Sequence, residues 1–152
     1  MFNLRKANKG DESKIIDLVK SVLSDYGLKT NPQETDKDLS DIENYYFSKN
    51  GWFAVLEKES EIISSYGIFK IDEKTCELRK MYLLNNYQGK GLGKLMMEDA
   101  FKKTGELGYS VIVLETNKLL DKAITLYGKY GFVQYNPNHL SDRCDFAMRK
   151  EL

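Results

Sequence analysis

The stretch ELRKMYLLNNYQGKGLGKLM, from Glu77 to Met96, decides the fold of this chain. It begins as an apolar strand, passes through a short polar turn, and places glycine at positions 89, 91 and 93 before a helical pattern starts. Backbone N–H groups at a helix start have no intrahelical acceptor, and the helix dipole is positive there. Because glycine lets a ligand approach the main chain closely, this stretch predicts a binding site for a phosphate-like anion.

The glycine spacing excludes two familiar phosphate-binding loops. A P-loop needs glycine, four residues, and then Gly-Lys followed by Ser or Thr, whereas Gly93-Lys94 is followed by Leu95. The dinucleotide-binding fingerprint needs a glycine three residues after its second one, and that position is Lys94. Two alternatives remain, a glycine-rich turn without a ligand and a different phosphate motif. The three alternating glycines and two lysines favour the second.

Composition indicates one globular domain, which we predict to span residues 1–152. The chain is 41% hydrophobic and 30% charged, as is typical of a globular protein. Its 23 basic residues balance its 23 acidic residues, and this zero net charge argues against a protein that holds nucleic acid or membrane by bulk charge. We therefore expect neither nucleic acid nor membrane as a partner, and either a monomer or a homodimer.

The N-terminal sequence turns polar after four residues, and no stretch approaches the roughly 20 apolar residues of a spanning helix. The two cysteines, Cys76 and Cys144, have no metal-binding spacing and suggest a reducing compartment. We expect a cytoplasmic protein without a metal.

Hydrophobic periodicity predicts a strand, two helices, three strands, a helix, a strand, a helix and two strands, in that order. The second helix is predicted to be capped by Thr35 or Asp36, to place Leu39, Ile42 and Tyr46 on one side, and to end at Asn50-Gly51. The other predicted elements are strands at 2–7, 52–58, 62–71, 77–84 and 109–116, helices from Asp11 to Gly27, Gly91 to Leu107 and Asp121 to Tyr130, and a closing hairpin of 132–135 with 145–149.

This order predicts an α/β (α+β) fold, with a mixed, mostly antiparallel sheet of about seven strands and four helices on its two faces. Residues 52–84 are expected to form an antiparallel meander. One parallel pair is expected, because the helix after the glycine loop must cross over between its flanking strands.

The segment Gln88-Gly89-Lys90-Gly91-Leu92-Gly93 fits the pattern Gln/Arg-x-x-Gly-x-Gly/Ala, and it resembles the acetyl-CoA loop of the GNAT family of N-acetyltransferases. ELRKMYLLNNYQGKGLGKLMMEDAF is similar to the fourth strand and third helix of that family. VIVLETN and AITLYGKYGF are similar to its fifth strand and fourth helix. The order of elements agrees with the GNAT fold over nearly the whole chain.

The resemblance implies that acetyl-CoA and an amine bind together, and that the amine attacks the thioester without a covalent enzyme intermediate. Backbone N–H groups of the glycine loop would bind the pyrophosphate of the coenzyme, and the main chain of the preceding strand would pair with its pantetheine arm. That strand would also place a donor near the thioester oxygen. The coenzyme contacts implied in this way are Met81, Tyr82, Leu83, Gln88, Gly89, Lys90, Gly91, Leu92, Gly93, Lys94 and Asn117.

Two side chains are candidates for proton transfer. Tyr127 matches the frequent general acid of the family, which protonates the departing thiolate, although its helical face also suits a core residue. Glu77 is either a general base or anchor for the amine, or a solvated carboxylate at a strand start. Glu115 is a weaker candidate of the same kind, and the single histidine, His139, is expected at the surface.

Asn117 is either a pantetheine contact or a turn residue, because Leu120 stands where the family often has an asparagine. The acceptor site is expected from the first two helices, the link between them and the segment NPNHLSDR. Acidic residues near Asp36 suit a cationic amine, and a solvated helix face explains them equally well. The sequence leaves open whether the acceptor is a polyamine, an amino acid, an antibiotic, a peptide N-terminus or a lysine side chain.

A non-catalytic acyl-CoA-binding module is the rival reading from another class. The presence of Tyr127 favours the enzyme.

Overall fold

The computed structural model describes all residues, 1–152, and contains one sheet of seven strands. The strands are β1 (Phe2–Lys6), β2 (Trp52–Lys58), β3 (Glu61–Lys70), β4 (Thr75–Leu83), β5 (Val111–Thr116), β6 (Val133–Gln134) and β7 (Phe146–Glu151). Their order is β1-β2-β3-β4-β5-β7-β6, and only β4 and β5 run parallel. This topology confirms the predicted meander, parallel pair and closing hairpin.

Helices cover both faces of the sheet, as predicted. They are α1 (Glu12–Ser24), α2 (Ile42–Tyr45), α3 (Leu92–Leu107) and α4 (Asp121–Lys129), with short 3-10 turns at Lys37–Ser40, Phe47–Lys49 and Asn85–Tyr87. None of these helices has the length and apolar character needed to cross a bilayer.

The second predicted helix is wrong as one continuous element. Three short helical pieces replace it, because Asp41 has an extended backbone (φ −154°, ψ 78°) that ends the first piece. The Asp41 carboxylate then accepts a hydrogen bond from the backbone N–H of Asn44 and caps the next piece. This break lets Asp36 and Asp38 turn inward. They are buried, so the solvated-face interpretation does not hold for them.

Two hydrophobic clusters sandwich the sheet, because alternate residues of a strand point to opposite faces. In β2, Phe53 and Val55 pack toward α1 and α2, whereas Ala54 and Leu56 pack toward α3 and α4. The first cluster holds α1 through residues such as Ile15. The second holds α3 and α4 through residues such as Met96, Met97, Leu114 and Tyr127.

The sheet opens between β4 and β5. The two strands pair only where Thr75, Cys76 and Glu77 meet Val111, Ile112 and Val113. Beyond Glu77, β4 continues to Leu83 with that edge unpaired, while β5 continues to Thr116 and pairs only with β7. A cleft therefore forms in the middle of the sheet.

A β-bulge bends β4 at the start of this cleft. Ser65 faces Tyr82 and Gly67 faces Arg79, so β4 contains one extra residue, and Lys80 has a positive φ of 55°. The Ser65 hydroxyl donates a 2.7 Å hydrogen bond to the Lys80 carbonyl oxygen and holds this conformation. The bulge re-aims the backbone of β4 toward the cleft.

Candidate active site

The glycine loop presents a row of backbone donors. None of the N–H groups from Gly89 to Lys94 donates a hydrogen bond within the protein. Gly89 and Gly91 both have a φ of 78°, a conformation that residues with a Cβ adopt only with strain. Gly91 is the N-cap of α3 and no side chain caps that helix end. The loop and the helix start together form an anion-binding concavity.

Gly93 has a different role, which is to let two helices approach. A Cβ built on Gly93 would lie 3.3 Å from Cδ2 of Leu126 in α4, a tight contact. The missing side chain therefore keeps α4 close to the start of α3. It is this approach that makes α4 one wall of the cleft.

A cavity of about 670 Å³ runs from the glycine loop along the cleft. The unpaired edge of β4 (Met81, Tyr82 and Leu83) forms one wall and α4 forms the other. This volume is in the range of cofactor sites. The lysines Lys94, Lys122 and Lys129 also line it and supply positive charge.

Tyr127 lies in α4 on the wall of this larger cavity, with 6% of its surface exposed. Its ring packs edge-on against Phe132, with the ring centroids 5.8 Å apart. Burial, together with the neighbouring Tyr82, raises the pKa of the Tyr127 hydroxyl well above its usual value. The hydroxyl therefore keeps its proton at neutral pH. Tyr127 is thus both a core residue and a cavity residue.

Glu77 lies at the point where β4 and β5 separate. Burial raises the pKa of its carboxyl group, the charge and hydrogen bond of Arg79 lower it, and the charge of Glu115 raises it. The Glu77 Oε1 accepts a 2.5 Å hydrogen bond from Nε of Arg79. Glu77 is 8% exposed, so the interpretation as a solvated carboxylate is wrong.

A second cavity, of about 360 Å³, meets the first at the bulge of β4. Glu77, Arg79 and Glu115 line it, and Tyr45, His139 and Ser141 add walls from the helical region and the segment before β7. The two cavities share Leu78, Lys80, Tyr82, Glu115, Thr116 and Leu120. A small molecule in the second cavity thus lies next to the middle of the first.

A buried ion-pair network supports this junction. Asp36 accepts hydrogen bonds of 2.6 and 2.9 Å from Arg143, and its Oδ1 lies 3.0 Å from Nζ of Lys80. Burial raises the pKa of Asp36, but the Arg143 and Lys80 charges and the Asn31 backbone N–H lower it to about 2. Asp38 forms the other side of the network and accepts a hydrogen bond from the buried hydroxyl of Tyr46.

The structure brings most of the predicted site residues together. Glu77 and Tyr127 lie on the two adjoining cavities, and Glu115 lines both. The predicted coenzyme contacts that line the larger cavity are Met81, Tyr82, Leu83, Gln88, Gly89, Gly91, Gly93 and Lys94.

Three predicted contacts lie elsewhere. The Lys90 side chain is exposed and lies over the Tyr87 ring, and the Leu92 side chain is buried in the core, so only their backbone N–H groups face the loop. Asn117 lines the smaller cavity and not the larger one. Its side chain donates to the Arg143 carbonyl oxygen and accepts from the Leu119 N–H, as a turn residue does.

Sequence reasoning missed Arg79, Lys80 and Arg143 in the smaller cavity. Alternation along β4 puts Arg79 on the same face as Glu77, and this signal was available. Lys80 lies on the bulge, which no local pattern marks. Arg143 meets Asp36 across 107 residues of sequence, so only the folded chain reveals that pair.

Comparison with known proteins agrees with this geometry. The model of the acetyltransferase (GNAT) family matches residues 17–132, and the chain belongs to that family. The N-acetyltransferase YjgM of Escherichia coli K12, itself uncharacterized, is 31% identical over 159 residues, which cover 98% of this chain and 94% of that protein.

Solved structures share the fold at low sequence identity. A GNAT-family acetyltransferase from Staphylococcus aureus MU50 superposes with a TM-score of 0.92 at 19% identity, over 99% of both chains. The PaiA N-acetyltransferase of Thermoplasma acidophilum, in complex with coenzyme A, has a TM-score of 0.78 at 18% identity over 100% of this chain and 99% of that one. YncA of Salmonella typhimurium, with acetyl-CoA, has a TM-score of 0.76 at 17% identity over 99% and 93%.

Proposed function

We propose that this protein is an N-acetyltransferase that moves the acetyl group of acetyl-CoA to a primary amine within a ternary complex. One observation carries the proposal. Six consecutive backbone N–H groups without an acceptor stand at one end of a cleft whose other end holds a buried carboxylate, Glu77. Along this cleft, the N–H groups suit the phosphates, the unpaired edge of β4 suits the arm that carries the thioester, and Glu77 suits the amine. Family membership, and the coenzymes held by PaiA and YncA, support it.

The end of the cleft at the glycine loop suits coenzyme A. The pyrophosphate would accept hydrogen bonds from the N–H groups of Gly89 to Lys94, where the dipole of α3 is also favourable. The unpaired edge of β4 would then pair with the amide groups of the pantetheine arm, as an added strand pairs with a sheet edge. The backbone of Met81 and Leu83 stands where the thioester would lie, and an N–H donor there would stabilise the negative charge that develops on its oxygen.

The proton transfers follow from the two ionisable side chains. The amine nitrogen must be neutral to attack the thioester carbon, so Glu77, directly or through a water, takes a proton from it. The new C–N bond forms as the C–S bond breaks, and Tyr127 gives its proton to the departing thiolate. The acylated nitrogen loses its extra proton to solvent, and Tyr127 regains one from solvent. Its place on the wall of the larger cavity supports this role, and its hydroxyl carries the proton that a donor needs at neutral pH.

The cysteine in the smaller cavity does not suit a covalent intermediate. Burial and the nearby Glu115 charge raise the pKa of the Cys144 thiol to about 11. The thiol is therefore protonated at neutral pH and is a poor nucleophile. This property supports direct attack by the amine.

A thiol-release assay with acetyl-CoA and a panel of primary amines tests the proposal, with mass spectrometry of the acceptor. We expect free coenzyme A and acetylated amine in equal amounts, and no thiol release above background when the amine is omitted. Coenzyme binding without turnover of any amine would overturn the proposal in favour of a non-catalytic acyl-CoA-binding module.

A further inference from the structure

We propose that the amine acceptor is a small zwitterion of amino-acid type, whose carboxylate binds Arg79 and whose amino group faces Glu77. This inference rests on the proposed acetyl transfer and adds the class of acceptor. It is carried by the hydrogen-bonding state of Arg79 in the smaller cavity.

Arg79 has N–H groups that donate no hydrogen bond within the protein. Its Nε binds Glu77, but its two terminal nitrogens donate no hydrogen bond, and Nη1 lies 4.0 Å from Oδ2 of Asp38. The guanidinium is held in place by stacking on Phe69, with its carbon 3.6 Å from the ring centroid. A fixed, partly buried guanidinium with an open fork is the geometry that binds a carboxylate with two parallel hydrogen bonds.

Two other basic groups of this cavity, Arg143 and Lys80, are already engaged, and Lys37 lies at an exposed position of its lining. Arg143 makes two hydrogen bonds to Asp36 and one to the Lys29 carbonyl oxygen. Lys80 lies between Asp36 and the Thr35 carbonyl oxygen with 5% of its side chain exposed. Among Arg79, Lys80 and Arg143, Arg79 is therefore the base that can bind an anionic ligand group, and 29% of its side chain is exposed.

The balance of charge also fits a zwitterion. Three buried acids pair with three bases in and beside the cavity, namely Asp36, Asp38 and Glu77 with Arg79, Lys80 and Arg143. Glu115 adds one further carboxylate beside them, near the expected position of the amine. A polyamine would have to lie against Arg79, whereas an amino acid brings a carboxylate for Arg79 and an ammonium for the acids.

The spacing favours amino and carboxylate groups that are close together in the ligand. Glu77 and Arg79 are in direct contact through a 2.5 Å hydrogen bond, so the two recognition groups are neighbours. The ligand's own charged groups must then be separated by only one or two carbons. A volume of about 360 Å³ is at the small-molecule end of ligand sites.

The test compares matched acceptors on the wild-type protein with acetyl-CoA. Each standard amino acid is assayed beside its carboxamide and its decarboxylated amine, which keep the amine and lose the carboxylate. We expect kcat/KM for the preferred amino acid to exceed that for both analogues by about 30-fold or more, as a charge-assisted bidentate contact allows. Longer ω-amino acids, whose carboxylate lies farther from the amine, test whether the two groups must be close together, and we expect them to be poorer acceptors.

Variants assign the preference to Arg79. Arg79→Gln should bring the ratio of amino acid to carboxamide close to one, and Arg79→Lys, which keeps the charge without the fork, should give an intermediate ratio. The matched control is Arg149→Gln, since Arg149 lines neither cavity and pairs only with Glu151. Its ratio should equal that of the wild type.

The outcomes separate the two proposals. Turnover of amines with no preference for the carboxylate overturns this inference and leaves the acetyltransferase function standing, as does a preference that survives Arg79→Gln. Turnover of no amine overturns the function and the inference together. The wild-type panel decides the acceptor class even if an Arg79 variant does not fold.

Discussion

Tyr127 lies in the hydrophobic core and on the wall of the larger cavity. Its ring packs against Phe132. Burial raises the pKa of its hydroxyl well above the usual value. The helical pattern suggested a core residue, and the family resemblance suggested a proton donor. Both interpretations stand for Tyr127, because the residue packs in the core and also lines the larger cavity.

If Tyr127 protonates the thiolate, Tyr127→Phe should lower kcat by about 100-fold with little change in coenzyme affinity. Steady-state kinetics and titration calorimetry measure the two quantities. Tyr130→Phe is the matched control, because Tyr130 is next to the same helix and lines neither cavity. Unchanged kcat in Tyr127→Phe would restrict this residue to a packing role.

Glu77 offers a test through pH. Its pKa is raised above the ordinary 4.5, chiefly by burial, and a base works only when ionised, so the rate should fall as pH drops through that raised pKa. Because the acceptor binds as an ammonium, the logarithm of kcat/KM should rise with a slope of one below the Glu77 pKa and be level above it. In Glu77→Gln only the neutral amine can react, so the slope should stay at one up to the amine pKa, with kcat lowered by about 100-fold. A level region that persists in the variant would identify a different base.

At the scale of elements, sequence patterns predicted the strands and helices that depend on interactions between neighbouring residues. The strands of the meander, the crossover and the start of α3 follow from periodicity and from glycine spacing. The second helix did not, because Asp36 and Asp38 make ion pairs with the distant Lys80, and Asp41 breaks the helix and caps its next piece at Asn44. The bulge in β4 was equally hidden, since it depends on Ser65 from the neighbouring strand.

The start of α3 carries the anion site, so Gly91→Glu should abolish coenzyme binding. The new carboxylate would stand against the phosphates, and its Cβ would strain a backbone with a φ of 78°. Gly108→Glu controls for charge and strain, because Gly108 has a φ of 91° at the other end of the same helix. Titration calorimetry with coenzyme A, on variants shown to be folded by circular dichroism, compares the two. Retained affinity in Gly91→Glu would move the pyrophosphate away from this loop.

At the scale of the whole molecule, the Asp36 network joins three distant segments around the smaller cavity. It links the helical region to β4 through Lys80 and to the segment before β7 through Arg143. The sequence analysis expected the acceptor site in the first two helices, their link and NPNHLSDR, and residues of these segments line the smaller cavity. The ion pairs were not predictable, because Asp36 and Arg143 lie 107 residues apart in the chain.

Asp36→Asn should destabilise the fold by about 3 kcal/mol, because Arg143 would lose its buried carboxylate partner and Lys80 would keep only Asp38. Asp142→Asn, at an exposed position of the same cavity, should have little effect. Urea unfolding at neutral pH measures both.

The wild type should show the same effect through pH. The Asp36 pKa is lowered from 3.8 to about 2. Its ion pairs therefore contribute fully to the free energy of unfolding above pH 3.8, and this contribution is lost as the pH falls through about 2. The shift corresponds to about 2 kcal/mol. A difference between wild type and Asp36→Asn that does not shrink in acid would contradict the network's role.

The most direct test of the account is a calorimetric titration of the wild-type protein with coenzyme A. We predict one coenzyme per chain, and a free energy of unfolding raised by about 2.7 kcal/mol when free coenzyme is about 100 times its Kd. Absence of binding heat at coenzyme concentrations of about 1 mM, with no stabilisation of the fold, would contradict the account at its base.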